Sequence, residues 1–332
     1  MTIKYQVRKG QNIGMVKVLS LCDGMSCGQI ALDKGGIEVG QYFAAEIKDI
    51  AIKVTRDNYP NTIHIGDVNK VSFKEGVLYT EKGEFNVGHI DLVMFGSPCQ
   101  TFSIAMKTDK RVGLENEEKS GLFIQCYRIL KEVKPTYFLM ENVASMKNED
   151  RDFITELMGV EPVKIDAKLV SPELRNRYYW TNIPMVNEIT TNDVKLQDIL
   201  IDGYTNRDKA RNLLVSDSRP LTTPVKIFHR YYSTGFTTVI FKSKEHYECC
   251  VKEYERLSGG KRKITAKELD NYNGDVFNGV RYMYQEELEK CQCVPKGYTK
   301  CLTRNEAADV LGDGWNIDVI THIFKLLKEN LT

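Results

Sequence analysis

The sequence contains no run approaching the ~18 consecutive apolar residues that a membrane span requires. It also lacks a charged opening segment followed by an apolar stretch. We therefore expect no secretory leader, no membrane partner and a soluble cytoplasmic protein. Its nine cysteines are odd in number and include no C-x-x-C pair, so reduced thiols are expected rather than a disulfide framework, and no metal. Cys249, Cys250, Cys291 and Cys293, with His246 nearby, lack zinc-site spacing and read as ordinary thiols. The absence of G-x-G-x-x-G argues against a nicotinamide dehydrogenase, and there is no internal repeat or low-complexity tract. A net charge of +1 excludes a uniformly basic coat for nucleic acid.

What is present is ordinary globular material, 42% hydrophobic and 27% charged, over a length that suggests one large lobe and one smaller. The run VKVLSL at 16–21 has the composition of a buried parallel strand, and a tight loop at 22–28 leads into a helix stopped by Gly35-Gly36. Further strands are expected at 41–45, 62–65, 90–95 and 137–140, with a helix at 122–133. This alternation predicts an α/β fold with a mainly parallel sheet covered on both faces. Residues 163–170 and 178–183 read as a strand pair. From 187 to 290 the alternation fades, and between Lys195 and Lys300 nineteen Lys/Arg face fourteen Asp/Glu. Ile317, Ile320, Ile323, Phe324 and Leu327 recur at helical spacing, predicting a final amphipathic helix that packs back on the first lobe.

Open α/β sheets bind ligands beyond the C-terminal ends of their strands, so residues ending strands are the first candidates for function. The loop 22–28 allows close backbone approach to a ligand at a helix N-terminus. Glu46, twenty-two residues after Gly24, stands where nucleotide folds place an acid on ribose hydroxyls, and Asp67 is placed to accept from an adenine amino group.

Two strand-end motifs are more specific: Gly96-Ser97-Pro98-Cys99-Gln100 after IDLVMF, and Glu141-Asn142-Val143 after YFLM. They resemble the DNA cytosine-C5 methyltransferase family, in which a Pro-Cys dipeptide supplies a nucleophile and Glu-Asn-Val a carboxyl group that holds the target base. The Asp23-Gly24 loop is similar to the family's methyl-donor motif, Arg175-Asn176-Arg177 to its Arg-x-Arg motif, and Gly312-Asp313-Gly314-Trp315-Asn316 to its last motif, which returns to the cofactor pocket. Ser120 to Phe123 and the Tyr178-Tyr179-Trp180 ending look closest to animal de novo DNA methyltransferases. Gln100 instead matches bacterial and phage modification enzymes, which points to a prokaryotic cell or phage-infected host. Glu173 stands where many members carry Gln.

The resemblance implies a Rossmann-like S-adenosylmethionine-dependent methyltransferase fold. The expected divisions are a catalytic domain at 1–186, a target-recognition domain at 187–294 and a returning segment at 295–332. It implies S-adenosylmethionine as cofactor, S-adenosylhomocysteine as product, duplex DNA as partner, and a monomer or weak homo-oligomer. Implied catalytic residues are Cys99, Glu141, Arg175 and Arg177. Implied cofactor contacts are Cys22, Asp23, Gly24, Met25, Cys27, Glu46, Ile47, Asp67, Val68, Ser97, Pro98, Leu122, Trp315 and Asn316. Gln100, Ser103, Lys107 and Arg111, in a polar loop containing Gly113, are implied DNA contacts.

The residue types suit the chemistry. Cytosine C5 is too weak a nucleophile until a thiolate adds at C6, and cysteine supplies some thiolate near neutral pH. A carboxyl group at N3 stabilises charge developing in the ring, and arginines order base and phosphate. Taken singly, Cys99 reads as a buried thiol, Glu141 as an acid at a helix N-terminus, and Arg175 and Arg177 as a solvated strand edge. Their order along one chain reverses that reading. An RNA cytosine methyltransferase would share the chemistry, but its Cys-Phe-Thr signature is absent, as is the Pro-Pro-Tyr/Phe motif of amino-methylating enzymes.

Overall fold

The computed structural model describes residues 15–96, 117–184, 189–214, 218–259 and 264–331, which form two compact units. One unit takes the described residues up to Asp166 together with Asn176–Thr190 and those from Asp313 onward. The other takes Ala167–Arg175 and Thr191–Gly312. The division differs from the boundaries expected at 187 and 295. Glu173–Leu174 pairs with Ala210–Arg211, and Arg304 Nε donates to Met283 O at 3.0 Å, so both segments are held within the second unit.

The strands in chain order are β1 (Val16–Leu21), β2 (Val39–Ala45), β3 (Ile63–His64), β4 (Ser72–Lys74), β5 (Val77–Thr80), β6 (Gly83–Asn86), β7 (Leu92–Gly96), β8 (Tyr137–Val143), β9 (Val163–Asp166), β10 (Glu173–Leu174), β11 (Asn176–Thr181) and β12 (Ala210–Arg211). Seven of them make the main sheet in the order β3-β2-β1-β7-β8-β11-β9. Only β11 runs against its neighbours, so the sheet is the mixed, mainly parallel one expected. Helices α1 (Cys27–Lys34), α2 (Asp49–Asn58), α3 (Glu117–Val133) and α4 (Asn148–Met158) follow strands, as parallel pairing requires. The short β4–β6 meander and helices α2 and α4 were not anticipated. Strands of three and four residues are too short to carry a readable alternation.

Leu19, Phe43, Val93 and Phe138 pack with Phe123, Cys126 and Ile129 of α3 in one buried cluster. The residues that alternate with them meet α1 instead. A Cβ on Gly28 would stand 2.5 Å from Met94 Cε and 3.4 Å from the Tyr42 hydroxyl, so a larger residue there would have to displace the end of the Met94 side chain. The C-terminal helix Ile317–Leu331 joins α1, with Lys34 paired to Asp318. In the second unit, Phe228 packs against Tyr231, Phe241, Tyr254 and Phe277 with ring centroids 5.1 to 6.0 Å apart.

Candidate active site

Strand order reverses between β1 and β7, so the loops leaving these strands flank the crevice where open α/β sheets bind ligands. The loop after β1 is strained. Cys22, Gly24 and Ser26 adopt φ of 53°, 61° and 61°, and only the glycine does so without a side-chain penalty.

A polar network holds it. Tyr42 of β2 donates to Asp23 Oδ1 at 2.7 Å, and Ser26 donates to Asp23 Oδ2. Thr55 of α2 donates in turn to Ser26 Oγ at 3.1 Å. Burial pushes the Asp23 carboxyl up to about 6; the hydroxyls of Ser20, Ser26 and Tyr42 oppose the rise and the Glu46 charge adds to it. On the outer side Glu46 Oε2 accepts from Gly24 N at 2.7 Å, while Oε1 accepts from Ile47 N and Lys48 N at 2.9 and 2.8 Å. The register explains the contact, since Leu21 pairs with Ala45 and the two strands end side by side.

The other expected cofactor residues fall into varied settings. Met25 and Cys27 are buried, whereas Ile47 is 70% exposed beside Glu46. Asp67 Oδ1 accepts from both Asn69 N and Asn69 Nδ2 at 2.9 Å, capping the turn that begins at buried Val68. Glu81 of the meander backs this turn, accepting from Asp67 N at 3.1 Å. Leu122 packs against the main core, and Asn316 Oδ1 accepts from Val319 N at 3.3 Å, capping the C-terminal helix.

A second cluster forms where β7 and β8 end together. Gly96 pairs with Glu141, and Tyr179 of β11 pairs with Glu141 from the other side, placing Arg177 diagonally on the same face. Glu141 and Arg177 are both buried, with Arg177 Nε 2.8 Å from Glu141 Oε1. That contact is an ion pair without an aligned N–H, so Oε1 has no true hydrogen bond among the described residues. A Cβ on Gly96 would stand 2.9 Å from Trp315 Nε1 and 3.2 Å from Glu141 Oε2. Trp315 is held there by its backbone N–H, which donates to Cys27 Sγ at 3.3 Å, and by Asp313, paired to Lys48 at 2.8 Å.

The structure thus brings Glu141, Arg177 and Trp315 together around Gly96, and Asp23 and Glu46 around Gly24. Arg175 is engaged elsewhere, donating to Asn212 Oδ1 at 2.8 Å and Gly312 O at 3.2 Å within the second unit. Glu173 is fully buried, accepting from Gln292 Nε2 at 2.8 Å and Leu213 N at 3.3 Å. Ser97, Pro98, Cys99, Gln100, Ser103, Lys107 and Arg111 lie outside the described residues. Tyr42, Thr55 and Glu81 escaped the sequence reading; nothing local marks a strand tyrosine or a helix threonine as reaching under a loop.

Residues 16–158 match the family described as C-5 cytosine-specific DNA methylase. Type II methyltransferase M.NgoBV of Neisseria gonorrhoeae is 33% identical over 215 residues, covering 58% of this chain and 47% of that protein. The orphan methyltransferase M.SPRI of Bacillus phage SPR is 30% identical over 206 residues, covering 58% of this chain and 44% of that one. The chain therefore spans about half the length of these bacterial and phage relatives. Among solved structures, the Entamoeba histolytica methyltransferase EhMeth superposes with a TM-score of 0.62 at 16% identity, covering 96% of this chain and 99% of that one. A DNA modification methyltransferase encoded within an E. coli prophage gives 0.57 at 17%, covering 95% and 99%. At such identities the likeness shows the fold alone, a Rossmann-like mixed sheet. Residues 16–158 are thus similar to the C-5 cytosine-specific DNA methylases.

Proposed function

We propose that the protein transfers a methyl group from S-adenosylmethionine to C5 of a cytosine flipped out of duplex DNA, through a covalent bond between Cys99 and C6. The observation that carries this reading is the buried Glu141–Arg177 pair beside Gly96, the end of a strand that Cys99 follows by three residues in the sequence.

The donor fits the first cluster. Asp23 and Glu46 bring two carboxylates to a loop whose backbone is free to approach a ligand at Gly24, which suits a cation carrying ribose hydroxyls. When bound, S-adenosylmethionine supplies an electrophilic methyl on sulfur. Asp23, Gly24 and Glu46 hold it, with Asp67 Oδ2 available to its adenine.

At the second cluster, the Cys99 thiolate adds to C6 and electron density moves to C5. Glu141 holds N3 and the exocyclic amino group, and Arg177 orients Glu141 and neutralises its charge. C5 takes the methyl, then loses its proton, and the electrons of that C–H bond expel the Cys99 thiolate. C6 is inaccessible in a stacked helix, so the base rotates out at a cost of a few kcal/mol. Gln100, Ser103, Lys107 and Arg111 contact the DNA, residues 187–294 read its sequence, and Arg175 braces that region. The cytoplasm of a bacterium or phage-infected host is the proposed setting.

Duplex DNA containing 5-fluorocytosine tests the reading directly. A covalent, donor-dependent complex is expected with the native chain and none with Cys99→Ser, which should still bind S-adenosylmethionine. Turnover by Cys99→Ser, or trapping of tRNA but not DNA in parallel, overturns it.

A further inference from the structure

The crevice loop keeps its left-handed residues Cys22 and Ser26 through contacts that reach it from below. Asp23 is the hub. Its two oxygens accept from different elements: Oδ1 from Tyr42 of β2 at 2.7 Å, and Oδ2 from Ser26, itself braced by Thr55 of α2 at 3.1 Å. Tyr42 is only 3% exposed, and its hydroxyl sits where Gly28 leaves room for it. A ring placed this deep is far from solvent, yet its hydroxyl is aimed at the loop.

We propose that Tyr42 is a positioning residue for methyl-donor binding, holding the loop at Gly24 through the Asp23 carboxylate. The proposal rests on the reading that the donor binds at this loop. An ionised carboxylate can accept from every hydroxyl around it. Once protonated, it accepts on one oxygen and donates from the other, so both contacts lose the charge that strengthens them and the loop is held more weakly. The titratable groups facing Asp23 are Tyr42 on β2 and Glu46 after it, while β1 supplies Ser20 and α2 acts through Ser26. Acidification through about 6 therefore weakens the anchor in the native chain. Without the tyrosine hydroxyl the carboxylate loses one of its supports, so the same loss sets in at higher pH.

The test is calorimetric binding of S-adenosylmethionine to the full chain from pH 5 to 8. The native chain is expected to gain affinity as pH rises through about 6. Tyr42→Phe, which keeps the ring, should bind about tenfold more weakly at pH 7 and show its midpoint at higher pH, as loss of one hydrogen bond to a charged group implies. Ser26→Gly tolerates the left-handed backbone and strips the other oxygen. It should shift the midpoint the same way, and it stands in if Tyr42→Phe does not fold. Asp23→Asn should bind with no pH dependence in this window. Tyr42→Phe that binds like the native chain, or more weakly with an unmoved midpoint, overturns the proposal while leaving donor binding intact. A native chain that binds no donor at any pH overturns both.

Discussion

Asp23→Asn should make the free protein more stable at neutral pH, and the gain should vanish in acid. Moving a carboxyl from 3.8 to about 6 on folding costs about 3 kcal/mol once the group is ionised, at about 1.4 kcal/mol per pH unit. The folded pKa is raised, so Asp23's contribution to stability is fully present below 3.8 and is lost as pH climbs through about 6. The amide resembles the protonated acid: it can accept from Tyr42 and donate to Ser26 without carrying charge. The two proteins should therefore melt alike at pH 4 and diverge by about 3 kcal/mol at pH 7.5, roughly 6–12 °C in Tm for a domain of this size. Thermal unfolding of both without ligand across pH 4–8 measures the gap, and other titrating groups cancel in the difference. A gap that does not widen with pH, or a native protein that melts higher at pH 7.5, would refute the reasoning. The same substitution should weaken S-adenosylmethionine binding if, as proposed, the Asp23 charge faces the cationic donor.

Gly96→Ala introduces a methyl 2.9 Å from Trp315 Nε1 and 3.2 Å from Glu141 Oε2. Denaturant titration should show a loss of about 1–3 kcal/mol, and single-turnover methyl transfer should fall as Glu141 is displaced. Arg177→Met leaves buried Glu141 without its countercharge. A loss of about 3–5 kcal/mol is expected from equilibrium unfolding, and a change under 1 kcal/mol would mean the pair at 2.8 Å is not as buried as it stands. Lys48→Ala, by contrast, breaks a solvent-facing pair with Asp313, and unfolding should register no more than about 1 kcal/mol.

Several features were legible before any coordinates. The run VKVLSL is a central strand because a strand buried on both faces must be continuously apolar, and β1 lies between β2 and β7. Glu46 was marked by its distance from Gly24 along the chain, and adjacent parallel strands turn that distance into the observed contact. Other positions misled. The strand through YFLM was expected to stop at Met140, yet β8 continues through Glu141, Asn142 and Val143, because β11 pairs along them and Arg177 balances the acid. Arg175 and Arg177 read as one motif two residues apart. The chain leaves one unit for the other between them, so their guanidinium groups serve different neighbours.

The residue types we propose for methyl transfer, their order, and the strands that carry them were legible in the sequence alone, since the proposed nucleophile, acid and arginines sit in short motifs whose chemistry is local. Tertiary structure alone decided which atoms those residues meet. Tyr42 reaches Asp23 across neighbouring strands, Trp315 returns to Gly96 from the far end of the chain, and one oxygen of Asp67 is taken up in capping its own turn. Such contacts depend on sheet order and register, which no local pattern encodes, because pairing partners far apart in the chain are chosen by how the whole sheet buries its faces.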